Sequence, residues 1–159
     1  MTEATGSGPG DLLHIAALWT DAVEPAVAQQ LGNLVQVYAL YSDAGRPDEL
    51  AELFTADALW DGSALGYGTA QGAEAIGTLV AGHHRPAQPM MHVPGPPLLA
   101  TVSEDEVHGV CWCLATRWTE GTTIPFIHFY YADVFRRVIS GQWRFARREL
   151  SPAFPPAPR

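Results

Sequence analysis

Basic charge is scarce in this 159-residue chain: nine Lys and Arg stand against 17 Asp and Glu, giving a net charge of −8. Nucleic acids and anionic membranes bind largely through cationic side chains that release counterions, so neither is an expected partner. Cysteine is scarcer still, with only Cys111 and Cys113. Two residues apart in a strand, they point the same way but are too constrained for an ordinary disulfide, which suits a reducing, cytoplasmic setting. The N-terminus has no basic segment leading into an apolar run, and no stretch approaches the roughly 20 apolar residues of a membrane span. The reading is therefore of a soluble, unexported protein. No GxGxxG follows a strand and no GxxxxGKS or GxxxxGKT occurs, so nucleotide binding lacks its phosphate cradle. His83-His84 with Cys111 and Cys113 do not have the paired spacing of a closed zinc site, so no metal is expected.

What is present is core-forming material. Hydrophobic residues make up 47% of the chain, with five Trp, five Tyr and six Phe, enough for one packed domain. The Gly-rich residues 1–10 and the Pro-rich residues 151–159 read as loose ends around a single domain over 11–150. Asp11 can cap a short apolar segment, Leu12 to Val23. The Glu24-Pro25 pair opens a longer helix in which Leu31, Leu34, Val35, Tyr38 and Ser42 share one face, and Gly45 stops it. Pro47, Asp48 and Glu49 start a second helix carrying Leu50, Leu53 and Phe54 inward. Ala58-Leu59-Trp60 reads as a brief strand, and Ala73 to Ala81 as a third helix. The period then changes. Val107 to Trp118, Ile124 to Val138 and Trp143 to Leu150 are β-branched and aromatic runs separated by Glu120-Gly121 and Ser140-Gly141 turns. A strand over Met90 to Val102 is interrupted by Pro94, Pro96 and Pro97, which places it at an edge or a bulge. Helices followed by an antiparallel meander predict an α+β fold.

The stretch Tyr38 to Gly62, with Asp43, Phe54, Asp57 and Trp60 in order, resembles the opening of the SnoaL-like branch of the nuclear transport factor 2-like (NTF2-like) superfamily. The third helix, His92 after it, the Tyr131-Ala132-Asp133 strand and the closing Gly141 to Arg148 segment follow in that family's order, so the resemblance spans about Pro25 to Leu150. It implies a cone-shaped, strongly curved and mostly antiparallel sheet packed by three to four helices around an apolar pocket. It also implies a homo-oligomer, a dimer or trimer formed through the open sheet face. The superfamily includes scytalone and bile-acid dehydratases, ketosteroid isomerase, limonene epoxide hydrolase, polyketide cyclases and binding domains without catalysis, so fold alone does not choose the chemistry.

At the residues that carry chemistry, the resemblance is closest to the dehydratases: Tyr38, Asp43 and His92 match their helix Tyr, following Asp and strand His. It implies a cofactor-free lyase or isomerase acting on an apolar cyclic or polycyclic oxygenated molecule, such as a β-hydroxy carbonyl compound. A polyketide cyclase and a non-catalytic binder of the same fold are the alternatives. Each residue also has a plainer reading. Asp43, at a helix end that disfavours negative charge, can orient a histidine or simply bond the turn near Gly45 and Arg46. His92 can move a proton or be a satisfied wall residue. His128 competes with it, sharing a strand face with Tyr130 and opposing Phe129 and Tyr131, and strand alternation leaves open which set faces the pocket. Trp60, Trp112, His128 and Tyr131 are the candidate substrate-pocket residues, with Trp118 and Phe126 in the same aromatic set, although aromatics at strand spacing also build plain core. The isomerase pattern is displaced by one residue, with Asp61 where Gly62 marks the expected base. The epoxide hydrolase pattern finds only Arg117, without an acidic neighbour on its strand face. Arg136, Arg137, Arg144, Arg147 and Arg148 read as solvated faces and ion pairs.

Overall fold

The structure, a computed structural model, describes residues 23–118 and 126–154. The Asp11 cap, most of the apolar segment after it and the Glu120-Gly121 turn lie outside these residues. The first helix, α1 (Pro25–Ala44), begins as the sequence predicts: the Glu24 carboxylate accepts from the Ala26 and Val27 amides at 3.3 and 3.1 Å, and Pro25 needs no partner for its nitrogen. It ends at Gly45, whose φ of 63° is left-handed, and a Cβ there would stand 2.8 Å from the His84 ring. Leu31, Val35, Tyr38, Ala39 and Ser42 are its buried face. Leu34 is only partly buried.

The second helix, α2 (Pro47–Ala51), is shorter than its apolar pattern suggests, because Phe54 already belongs to β1 (Phe54–Asp61). The Gly-rich stretch after it makes a 3₁₀ turn at Ser63–Leu65 and a short strand, β2 (Thr69–Gln71). Helix α3 (Ala73–Ala81) packs so closely on α2 that a Cβ at Gly77 would lie 2.3 Å from the Pro47 carbonyl oxygen. The proline-broken run is two strands, β3 (Met90–Pro94) and β4 (Leu98–Ser103), followed by β5 (Glu106–Arg117), β6 (Phe126–Arg137) and β7 (Trp143–Pro152).

These seven strands form one open sheet in the order β2-β1-β7-β6-β5-β3, with β4 also paired to β5. All pairs are antiparallel except β1 with β7. Strands β3 and β4 share the edge of β5, β3 along Cys113–Arg117 and β4 along Glu106–Val110. The prolines fall where pairing passes from one strand to the other, a place where a missing backbone donor costs little. Strand alternation sends Val107, Cys111, Cys113 and Ala115 of β5 inward, with Phe129, Tyr131, Asp133 and Phe135 of β6. The inner face meets α1 along β3 and β7, and the rings of Phe54, Phe135 and Phe145 form one end of the core. Both cysteines are free and buried, and burial raises their thiols to about 12 for Cys111 and about 11 for Cys113, so neither is a ready nucleophile.

Candidate functional site

Asp43 lies in the last turn of α1 and His92 at the middle of β3, and packing α1 across that strand joins them. The carboxylate grips the histidine twice: Oδ2 accepts the His92 backbone N–H at 2.9 Å, and Oδ1 lies 2.5 Å from Nδ1. Both side chains are largely shielded, at 12% exposure for His92 and 20% for Asp43. The second contact places the neutral ring's hydrogen on Nδ1 and leaves Nε2 as the free acceptor. It also gives the negative charge at a helix C-terminus a compensating partner.

His92 lines a small cavity of about 40 Å³. Tyr38 and Ser42 of α1, Trp60 of β1, Leu150 of β7 and Phe129 and Tyr131 of β6 line it too, the Phe129 ring edge-on to His92 at 6.3 Å. Tyr67, Val80, His83 and Met90 complete the lining. The Tyr38 hydroxyl accepts the Trp60 indole N–H at 2.9 Å, so its own hydrogen remains available. Burial pushes the Tyr38 phenol up to about 12, against the pull of the Arg148 charge and the Trp60 hydrogen bond, so it is a neutral donor at ordinary pH. Burial likewise holds Tyr131 well above the usual phenol value.

Tyr38, Trp60, His92 and Tyr131 thus meet around one space, with Asp43 behind the histidine. Trp112 and His128 do not join them. Trp112 pairs with Tyr130 on the outer face of the sheet and is 52% exposed, while His128 is exposed on that face with its ring 5.5 Å from Phe154. Helix α1 covers the opposite face, which settles the alternation in favour of Phe129 and Tyr131. Trp118 is also exposed. Asp61 is spent on its own turn, accepting from the Ser63 amide and hydroxyl at 2.9 and 2.6 Å. No group of three or more His, Cys, Asp or Glu with metal-site geometry occurs among the described residues.

One constellation is new to the structure. Arg148, read from sequence as part of a solvated, ion-paired face, does pair but is wholly buried, and its Nε and Nη2 donate to Asp133 Oδ1 and Oδ2, each at 2.8 Å. The guanidinium carbon lies 4.1, 3.9 and 4.1 Å from the ring centres of Tyr38, Tyr131 and Phe145. Burial works against the guanidinium charge, but the charge and hydrogen bonds of Asp133 outweigh it and keep Arg148 firmly cationic. Burial pushes the Asp133 carboxyl up, and Arg148 opposes that shift. A buried arginine–acid pair thus lies under the two cavity tyrosines, formed by Arg148 and not by Arg117. Its sequence signal was Asp133, which shares strand parity with Phe129, Tyr131 and Phe135 and so turns inward with them once α1 covers that face. His83 and Tyr67 had no such signal, because they reach the cavity from irregular segments.

The chain belongs to the SnoaL-like domain family, whose model matches residues 24–149. Its fold is that of the NTF2-like proteins. An NTF2-like protein with a cystatin-like fold from Novosphingobium aromaticivorans superposes with a TM-score of 0.70 at 26% identity, covering 96% of this chain and 94% of the other. A "Putative Scytalone Dehydratase" from the same organism is also 26% identical, with a TM-score of 0.67 over 79% of this chain and 83% of that one. The hexachlorocyclohexane dehydrochlorinase LinA-type3 from Novosphingobium barchaimii, 23% identical, shares the fold with a TM-score of 0.65 over 92% of each chain. No protein of curated function matches the sequence. No described helix is long and apolar enough to cross a membrane.

Proposed function

We propose that the protein is an acid–base lyase that eliminates water from a β-hydroxy carbonyl compound without metal or organic cofactor. The observation that carries this reading is the double grip of Asp43 on His92 at the wall of a small, mostly apolar cavity. His92 Nε2 removes the proton next to the carbonyl, and the electron pair moves onto the carbonyl oxygen as an enolate. Tyr38 donates its hydroxyl hydrogen to that oxygen, and Asp43 stabilises the imidazolium. The electron pair then returns to form the C=C bond as the β C–O bond breaks. The imidazolium proton leaves with the hydroxyl as water, so one histidine serves both steps of a syn elimination and ends as it began. The relative named as a scytalone dehydratase supports elimination chemistry.

A cavity of about 40 Å³ has room for little more than one or two waters. The apolar cyclic substrate of this reading therefore needs the cavity to open, and we assign that opening to Tyr67 and His83, which reach the cavity from outside the helices and strands. We also place the protein in the cytoplasm. We assign it a homodimeric or trimeric assembly through the outer sheet face, where Met91, Leu98 and Trp112 are exposed.

The test is incubation with β-hydroxy ketones, enones and polyketide-like compounds, with turnover followed by mass spectrometry. A product lighter by one water is expected from the β-hydroxy compounds, the enones reporting the reverse addition, and the rate should fall by roughly 10²–10⁴-fold in His92→Ala, the usual worth of general acid–base catalysis. Wild-type turnover by a folded His92→Ala protein removes His92 from the mechanism. Ring closure without loss of water indicates a cyclase, and binding without turnover indicates a carrier.

A further inference from the structure

Among the described residues, two arginines beside the cavity hold no carboxylate. Among the described residues, Arg46, Arg136, Arg137, Arg147 and Arg148 each hold a carboxylate. Among the same residues, Arg85, Arg117 and Arg144 hold none. Arg144 is turned to the Phe54 carbonyl and the Gln142 amide. The other two lie close in the chain or the sheet to the cavity residues His83 and Met90.

Arg85 follows the cavity residue His83 by two positions and folds back on the Gly82 and His84 carbonyls, the latter at 2.9 Å. Arg117 closes β5 as the register partner of Met90, another cavity residue, and its Nη2 lies 2.9 Å from the Met90 sulfur. His83 sits with them, its ring 5.1 Å from Tyr67 and 6.3 Å from Trp60. No carboxylate bonds it among the described residues. Burial, then the charges of Arg85 and Arg117, lower the His83 pKa, so both cations are felt at the imidazole and the ring stays neutral.

We propose that Arg85 and Arg117, with His83 as a third donor, form a binding site for an anionic group of the substrate, a carboxylate or a phosphate ester. The inference rests on the dehydratase reading for which end of the molecule reacts: the anion stays at the arginines while the carbonyl end reaches His92 and Tyr38. Guanidinium groups are suited to both oxyanions because their planar donors match two oxygens at once. Unpaired arginines also cost less to use than paired ones, since no internal ion pair has to be broken.

Three aromatic probes of similar size test the site without any turnover: benzoate, phenyl phosphate and neutral benzamide. Each is titrated into the full chain while the His83 ring signals are followed by NMR. At low salt both anions should bind roughly tenfold or more tightly than benzamide and raise the apparent pKa of His83. That preference should shrink in about 0.5 M salt, which screens exposed charges. Whichever anion binds more tightly identifies the source of the charge, carboxylate or phosphate. In Arg85→Gln/Arg117→Gln the preference should vanish, and the unliganded His83 pKa should rise because two repelling charges are gone. His92→Ala should keep the preference.

Equal affinities for benzamide and the anions, an anion effect that bypasses His83, or full discrimination by the double variant each overturn the proposal. Should the double variant misfold, the salt dependence still discriminates, since an anion preference that persists undiminished at high salt is not electrostatic and overturns the proposal by itself. Anion preference without turnover of any panel compound defeats only the dehydratase reading, whereas turnover without anion preference defeats only this one.

Discussion

Changing Asp133 to Asn isolates what the buried ion pair contributes. The carboxylate holds Arg148 through two hydrogen bonds of 2.8 Å, with both side chains at 0% exposure. Asparagine can still accept one of these bonds, but its amide N–H₂ then faces a guanidinium N–H, and the arginine charge is left buried without a counter-charge. Removing one partner of such a pair typically costs about 3–5 kcal/mol. The three rings within 4.1 Å of the guanidinium carbon face it in both proteins and cancel from the difference, while the one hydrogen bond that asparagine keeps sets the cost at the low end of that range. Arg148 Nη1, already buried without a partner, gains nothing from the change. The expected loss is therefore about 3 kcal/mol, or roughly 6–12 °C in Tm for a chain of this size. Urea unfolding followed by tryptophan fluorescence reads it, provided the m-value stays constant. Replacing both members with apolar residues, as in Asp133→Val/Arg148→Met, removes the stranded charge and should fall within about 2 kcal/mol of wild type. A loss below about 1 kcal/mol in Asp133→Asn, or a double variant as unstable as the two single losses added together, refutes the argument.

Two further outcomes follow from the site and the sheet. Asp43→Asn should slow turnover nearly as much as His92→Ala, and the double variant should be little slower than either, because the carboxylate acts only through the imidazole; additive losses in steady-state assays refute that coupling. Sedimentation at micromolar concentration should show a dimer or trimer, and Trp112→Glu on the outer face should give monomers; a wild-type monomer ends the assembly proposal.

The helices were legible because their boundaries are local chemistry: Glu24-Pro25 and Gly45 act within one turn of the chain. The meander was legible for the same reason, its period of two running unbroken through β5 and most of β6. Arg148 was not. Phe145 and Arg148 are three residues apart yet both fully buried, because the register with β6 slips between Val134 and Phe135 and inserts one extra residue in β7. Such a bulge reverses parity and has no reliable signature in side-chain type. His128 and Trp112 show a different limit. Their alternation was readable, but which face receives α1 is decided by packing distant in sequence. The Asp43–His92 contact spans 49 residues, and only the family order of the residues, not their local pattern, brought the two together.

His92 lies on β3, which ends the main strand path. An unpaired rim of a sheet offers free amides to any extended chain that comes alongside, and proteins commonly protect such rims with charge, bulges or covering segments. Here the His92 amide is already taken by Asp43 Oδ2. The carboxylate that orients the imidazole is thus also a stopper against strand addition, and a helix end performs the blocking. Asp43→Asn should therefore weaken two things at once, the hold on the imidazole and the cover of the strand rim. On that ground an acid at position 43 serves the fold independently of the proposed reaction.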